Sequence, residues 1–511
     1  MLVNNANLVI LTDFIDIEYW ARPIGAYRIA TEVRKNGYTC QVIDCFTSFT
    51  DEEIFKILDR TVGDKTLAVG FSSTFFANVE DKVTLLRPAS VPFAGPTMNY
   101  PYNPEKMKAM FDYIKNINSN VKIVFGGAKA FNLDAPHVDT IMTGLSDLAM
   151  VEYLKYLENK NPFFNYESKN NQMIVSGDKY NNAFDFQHSR VQYAPEDNII
   201  PGESLVIEVA RGCIFKCNFC SYPLNGKKKN DYIKDAGLLK EEFLRNYHEH
   251  GITKYFYSDD THNDNIEKLK DLANIAQSLP FKLEFACYLR IDLMRAHPEQ
   301  YSLLRDGGIK GAFFGIESLH HPSLKAIGKG LSPEKVIEEL YNFERLMPDV
   351  GVSGGFICGL PYETKETIAT WTERISRKDF PIDRISLERL GMNRNPHKLN
   401  KSAFEREFEK YYTFKENSNI EWDNGYMDWN WAWEFSVNYL KLLKEQKRQR
   451  VGGWIHIAMN NTKVTQDYSK RPLADLPVDW RGAKQRLQQQ YKSFVLSYPK
   501  RLHLIPNSVK I

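Results

Sequence analysis

The chain has 511 residues, 43% of them apolar, and a formal charge of +2, which suffices for large cores and suggests roughly three domains. No apolar run nears the roughly 18 residues of a membrane span, and no tract is low in complexity. The start Met1-Leu2-Val3-Asn4-Asn5 lacks the basic-then-apolar pattern of a secretory signal, so a reducing, cytoplasmic setting without disulfides or a membrane partner is expected.

Residues 1–155 alternate strand-like runs at 8–11, 39–43, 67–71, 121–125 and 140–142 with helical stretches such as 26–36. This is the pattern of a doubly wound, Rossmann-like α/β sheet, which binds ligands at the carboxyl ends of its strands. Candidate ligand contacts there are Gly126, Gly127 and Gly144 at strand ends, where the missing Cβ lets a bulky ligand approach the backbone. The Pro- and Tyr-rich stretch 86–105 reads as a long inserted loop. Residues 156–203, polar and rich in Asn, read as a linker.

From 204 to 392, six strand-like runs (205–209, 254–258, 283–288, 311–316, 350–357 and 384–387) alternate with helical patterns. In 332–347, Val336, Leu340, Phe343 and Met347 share one helical face, with Ser332 placed to cap and Pro333 at the first position. Six units fall short of the eight of a closed barrel, so a partial (β/α)6 barrel is expected, with its chemistry at the carboxyl ends of the strands.

Directly after the first of these strands comes Arg211-Gly-Cys213-Ile-Phe-Lys-Cys217-Asn-Phe-Cys220-Ser-Tyr222. The spacing C-x3-C-x2-C supplies three thiolates, one short of the four that close an iron–sulfur cluster, and leaves one iron open to a ligand. Structural zinc asks for four ligands, and no second Cys/His pair at finger spacing lies nearby. The other four cysteines, Cys40, Cys45, Cys287 and Cys358, read as buried and inert.

This element, with Phe219 before its last cysteine, resembles the radical S-adenosylmethionine (SAM) superfamily. Gly315-Ile-Glu317-Ser318 with Leu324-Lys-Ala-Ile-Gly-Lys-Gly330, and Phe356-Ile-Cys-Gly359-Leu-Pro361-Tyr-Glu363-Thr364, resemble the fourth- and fifth-strand elements of the branch that includes cobalamin-dependent members. The resemblance implies a [4Fe-4S] cluster on Cys213, Cys217 and Cys220. SAM bound to the open iron would then be cleaved to a 5′-deoxyadenosyl radical. It implies cofactor contacts at Phe219, Tyr222, Ser258, Asp259, Asp260, Arg290, Glu317, Gly354 and Gly355, an electron donor such as flavodoxin or ferredoxin, and a cobalamin-binding first domain, with Ser72, Ser73 and Thr74 ahead of the Gly126-Gly127 pair among its contacts.

Where cobalamin domains that ligate cobalt carry Asp-x-His-x-x-Gly, this chain has Trp20-Ala-Arg22-Pro-Ile-Gly25. A guanidinium has no acceptor lone pair, so Arg22 is no metal ligand. No cysteine follows Cys358 and only two lie in the first domain, which argues against an auxiliary-cluster or methylthio-transferring branch. The expected activity is cobalamin-dependent methylation of an unactivated carbon. Radical rearrangement, cyclisation or oxidation is the alternative within this chemistry, and a non-catalytic iron–sulfur scaffold the alternative outside it.

Residues 393–511 read as a mainly helical C-terminal substrate or accessory domain. Its Trp422, Trp429, Trp431, Trp433 and Trp454 suit core packing, or else a substrate-facing wall. From residue 381 onward there are 23 Lys and Arg against 14 Asp and Glu. No nucleic-acid motif accompanies this surplus, so solvated helix faces explain it as well as an acidic substrate does.

Overall fold

The computed structural model describes residues 2–13, 21–72, 76–77, 100–101, 104–127, 130, 137–222, 224–394, 400–446, 448–450 and 482–496. Ser73, Thr74, most of the 86–105 loop and Trp454 lie outside them.

The first sheet contains β1 (Leu8–Leu11), β2 (Cys40–Ile43), β3 (Ala68–Ser72), β6 (Lys122–Gly126), β7 (Thr140–Thr143), β8 (Glu167–Lys169) and β9 (Gln172–Ser176), and a two-residue parallel pair, β4 (Phe76–Ala77) with β5 (Tyr100–Pro101), stands apart from it. Its order is β2-β1-β3-β6-β7-β9-β8. All neighbours are parallel except β8 and β9. The doubly wound expectation holds, but the segment read as a linker adds two strands to the sheet. β8 and β9 form a hairpin around Asn170 and Asn171, both at positive φ (51° and 62°), the conformation a tight two-residue turn demands and Asn tolerates. β8 is short, polar and exposed, and the apolar centre of β9, Met173-Ile174-Val175, is only three residues long, so both escaped a reading based on longer apolar runs.

The second sheet runs β10 (Leu205–Ile207), β11 (Lys254–Tyr257), β12 (Glu284–Leu289), β13 (Ile309–Glu317), β14 (Gly351–Cys358) and β15 (Arg384–Arg389) in chain order, every pair parallel. This is the partial six-stranded barrel. Its open edge at β15 is covered by the chain itself: the Gln449 amide accepts from Ile385 N at 2.9 Å and donates to Ile385 O at 3.0 Å, and Arg450 N donates to Asp383 O at 2.7 Å. Backbone groups that a bare edge strand would expose are thereby paired.

The C-terminal extension divides its packing. A short hairpin, β16 (Thr413–Phe414) with β17 (Trp422–Asp423), and the helix Trp429–Glu445 lie on the barrel. The helix Gly482–Leu496 instead puts Leu487, Tyr491 and Val495 into the core on one face of the first sheet. The tryptophans serve packing: Trp422 is buried with Nε1 donating to Leu390 O, and Trp429 and Trp433 share a helical face that receives the Arg389 guanidinium.

Candidate functional site

The loop that carries the three cysteines leaves β10 through Gly212, whose φ of 137° and a neighbouring carbonyl 2.9 Å from any added Cβ exclude a side chain. The loop then folds onto itself. Cys213 N donates to Leu224 O, Lys227 N to Cys213 O and Gly226 N to Phe215 O, at 2.9–3.1 Å. Asn218, between the second and third cysteines, is held from two sides. Its N and Nδ2 donate to Ile327 O (3.1 Å) and Ala326 O (2.7 Å), and its O accepts from Phe404 N of the C-terminal extension (3.0 Å).

Cys213, Cys217 and Cys220 line one cavity of about 330 Å³ at the carboxyl ends of the barrel strands, together with Phe219, Tyr222, Asp260, Arg290, Glu317 and Gly355. Three expected contacts fall outside it. Asp259 is wholly buried and accepts from Val209 N, Ala210 N and His262 Nδ1 at 2.8–3.0 Å, with Lys268 Nζ at 3.6 Å. It braces the start of the cysteine loop instead of facing a ligand. Ser258 Oγ donates to Ile207 O. A Cβ on Gly354 would meet the Ile382, Phe356 and Ile316 side chains, whereas one on Gly355 would meet the Phe313 ring, a wall of the cavity that Gly355 itself lines.

Within the cavity the charged groups are fixed. Arg290 makes a two-pronged pair with Asp292 (Nε–Oδ1 3.0 Å, Nη2–Oδ2 2.6 Å), lies 3.8 Å over the Phe215 ring and points Nη1 at Cys217 Sγ, 3.4 Å away. Glu317 sits at a register shift in β13 with φ of 72°, strained for a glutamate, and its carboxylate is 3.3 Å from Lys329 Nζ. Burial, helped by neighbouring Asp259, pushes the Asp260 carboxyl up to about 7.

Among the described residues no group of three or more His, Cys, Asp or Glu converges as the ligands of one metal ion. A cluster does not ask for that, because its thiolates sit on three different irons. The donor set fits a cluster in other respects. None of the seven cysteines is in a disulfide, and Phe215 N and Tyr222 N each donate to a cysteine sulfur (Cys213 and Cys220) at 3.4 Å. Such hydrogen bonds tune cluster sulfurs. Burial raises the Cys213 and Cys220 thiols, an effect that a bound metal overrides by deprotonating them outright. Cys287 and Cys358 are buried in barrel strands, and burial pushes Cys40 up to about 12.

At the carboxyl edge of the first sheet, Ser72 and Gly126 stand side by side in the register of β3 and β6, followed by Gly127 at φ of 109°. Gly144 has another purpose than expected. The Asp178 carboxylate fills the space of its Cβ (2.6 Å) and accepts from Leu145 N. Arg22 is fully buried, donating to Glu203 Oε1 (2.7 Å), Tyr27 OH and Asn198 O, so it faces no ligand.

Sequence reasoning missed Thr261, Tyr288, Phe313, Lys329, Ser386 and Glu388, all lining the cavity. Ser386 and Glu388 had a readable signal. They are polar residues at alternate positions of the last barrel strand, which puts both on one face.

Residues 207–375 match the Radical SAM superfamily, so the barrel and its cysteine loop are a radical SAM domain. The chain is similar to an uncharacterized methyltransferase of Pyrococcus horikoshii, 24% identical over 53% of this chain and 61% of that one. It is also similar to an anaerobic magnesium-protoporphyrin IX monomethyl ester cyclase of Cereibacter sphaeroides, 25% identical over 46% and 40%. The matches thus span roughly half the length of these relatives. The radical S-adenosylmethionine methyltransferase TsrM of Kitasatospora setae, solved with cobalamin and a [4Fe-4S] cluster, shares the fold with a TM-score of 0.61 and 12% identity, over 96% of this chain and 99% of that one.

Proposed function

We propose that this radical SAM domain works as an enzyme in which Cys213, Cys217 and Cys220 hold a [4Fe-4S] cluster and the first domain holds cobalamin, methylating an unactivated carbon. The observation that carries the reading is the single cavity shared by the three cysteines, Asp260, Arg290 and Glu317. A first domain and barrel that together follow the fold of a cobalamin-bound methyltransferase support the second cofactor. When bound, the cluster supplies the electron that breaks the sulfonium bond of SAM, and cobalamin supplies a methyl carrier.

The chain's own residues orient and shield. Asp260 accepts the SAM ammonium, and Glu317 accepts its ribose hydroxyls. The Arg290 guanidinium, held flat by Asp292 and Phe215, offsets negative charge at Cys217 and pairs with the SAM carboxylate. Phe219, Phe313 and Tyr288 wall the cavity and exclude water from a reactive intermediate. The cluster's electron comes from a flavodoxin or ferredoxin in the cytoplasm.

Anaerobic reconstitution with iron and sulfide, then titration with hydroxocobalamin, tests this. The expected result is a cluster that cleaves SAM on reduction, and saturable cobalamin binding. A chain that binds no cobalamin has no methyl carrier, and one that cleaves no SAM has no radical. The similarity to a cyclase favours a second reading, radical oxidation or cyclisation. Deuterium passing from substrate into 5′-deoxyadenosine, without a product heavier by one methyl group, distinguishes it.

A further inference from the structure

A second cavity, of about 450 Å³, is lined by Arg394, Lys401, Glu405, Arg406, Phe408 and Asn419 of the C-terminal extension. The radical reading makes no use of it. Three cations and one carboxylate converge there, and the carboxylate is already committed. Glu405 Oε1 accepts from Asn393 N and its Oε2 from Ser402 N, both at 2.7 Å, the second bond closing a capping box with the N-cap Ser402 of the short helix Ala403–Arg406.

Arg394 is held in place before any ligand arrives. Its N donates to Asn419 O (2.9 Å) and its Nη2 to Ser418 O (3.2 Å), and its guanidinium packs beside the Phe408 and Phe414 rings, 4.6 and 4.3 Å from their centres, where the two rings meet edge to face. Its Nε is buried with no hydrogen-bond partner among the described residues. A planar donor fork fixed by two rings loses little freedom on pairing with a carboxylate or phosphate. Arg406 is also oriented, donating through Nη1 to Lys401 O. Like charges gathered in a concave wall raise the local potential for an anion.

We propose that this cavity is an anion subsite taking a carboxylate- or phosphate-bearing small molecule, with Phe408 against its carbon skeleton. The short helix that carries Glu405 and Arg406 touches the cysteine loop, since Phe404 N on the same helix donates to the Asn218 carbonyl between Cys217 and Phe219. The acidic group is therefore recognised next to the backbone that holds two of the three cysteines. This is where the late basic surplus of the sequence acquires a use.

Binding of inorganic pyrophosphate and of citrate to the full chain with its cluster loaded, each against sodium chloride at equal ionic strength, tests the proposal by the thermal unfolding midpoint. A saturable rise is expected with at least one probe, pyrophosphate marking a phosphate ligand and citrate a carboxylate. Lys401→Gln and Arg406→Gln are each expected to weaken binding roughly tenfold, the scale of one lost charge-assisted contact. These two carry the test, because Arg394→Gln also removes the packing of its guanidinium against Phe408 and Phe414. Neither probe exceeding chloride, or both variants responding like the parent chain, overturns the proposal. Because the readout is binding without SAM or turnover, its failure is separate from any failure of the radical SAM reading.

Discussion

Arg28 Nη2 lies 2.5 Å from Glu208 Oε2, joining the helix Ile24–Lys35 of the first domain to the residue that follows β10. Glu208 in turn accepts from Arg211 Nε at 2.9 Å, and Arg211 pairs with Asp147 of the first domain at 2.9 and 3.2 Å. All four side chains are buried. The cysteine loop therefore starts from a charge network that spans both domains, and its position depends on both.

Burial alone would raise the Glu208 carboxyl, but Arg211 and Arg28 outweigh it and hold it at about 2, against an ordinary 4.5. A depressed carboxylate stabilises the fold above the unfolded value and loses that contribution as pH falls from about 4.5 to about 2. Glu208→Gln leaves two guanidiniums short of a partner and is expected to cost about 3–5 kcal/mol at pH 7. Thermal melts across pH check both parts: a lower midpoint at pH 7 and a shallower acid limb.

Cys213→Ala, Cys217→Ala and Cys220→Ala are each expected to lose bound iron and all SAM cleavage after anaerobic reconstitution. Cys287→Ala and Cys358→Ala should retain iron at the level of the parent chain, at a stability cost of about 1 kcal/mol for a small cavity. Iron and sulfide assays alongside thermal melts separate the two groups.

The neighbouring aspartates should part company. Asp260→Asn faces the cavity and is expected to weaken SAM binding about tenfold, the scale of one charge-assisted bond, with little change in stability. Asp259→Asn disturbs a buried carboxylate that serves two backbone N–H groups, His262 and Lys268, and is expected to cost about 2–4 kcal/mol. SAM titration and unfolding measurements on both variants decide it.

Tyr491 accepts from Asp44 N at 2.9 Å, and its ring stacks 4.9 Å from the Arg22 guanidinium. Tyr491→Ala is expected to destabilise the first domain by about 3–4 kcal/mol through the cavity it leaves. Limited proteolysis should then cut within residues 1–155 sooner than within the barrel.

Much of this was legible in the chain. Thiol spacing is local chemistry, and C-x3-C-x2-C after a strand carries its meaning wherever that strand lies. Parallel strands buried on both faces are continuous apolar runs, so five strands of the first sheet and six of the barrel showed themselves. β8 and β9 did not, since β8 is a polar three-residue edge strand and the apolar centre of β9 is only three residues long, its place being fixed by pairing with β7.

What the sequence determined by itself was therefore the order of elements and the identity of the thiolate donors, both properties of neighbouring residues. Tertiary structure alone decided which of two adjacent carboxylates faces the cavity. The backbone N–H groups, His262 and Lys268 that capture Asp259 come together only when β10, β11 and the helix Ile266–Ser278 pack. It also decided that a helix near the end of the chain completes the core of the first domain, and that Arg394, Lys401 and Arg406 share one hollow. Long-range contacts create these relationships, and no local spacing encodes them.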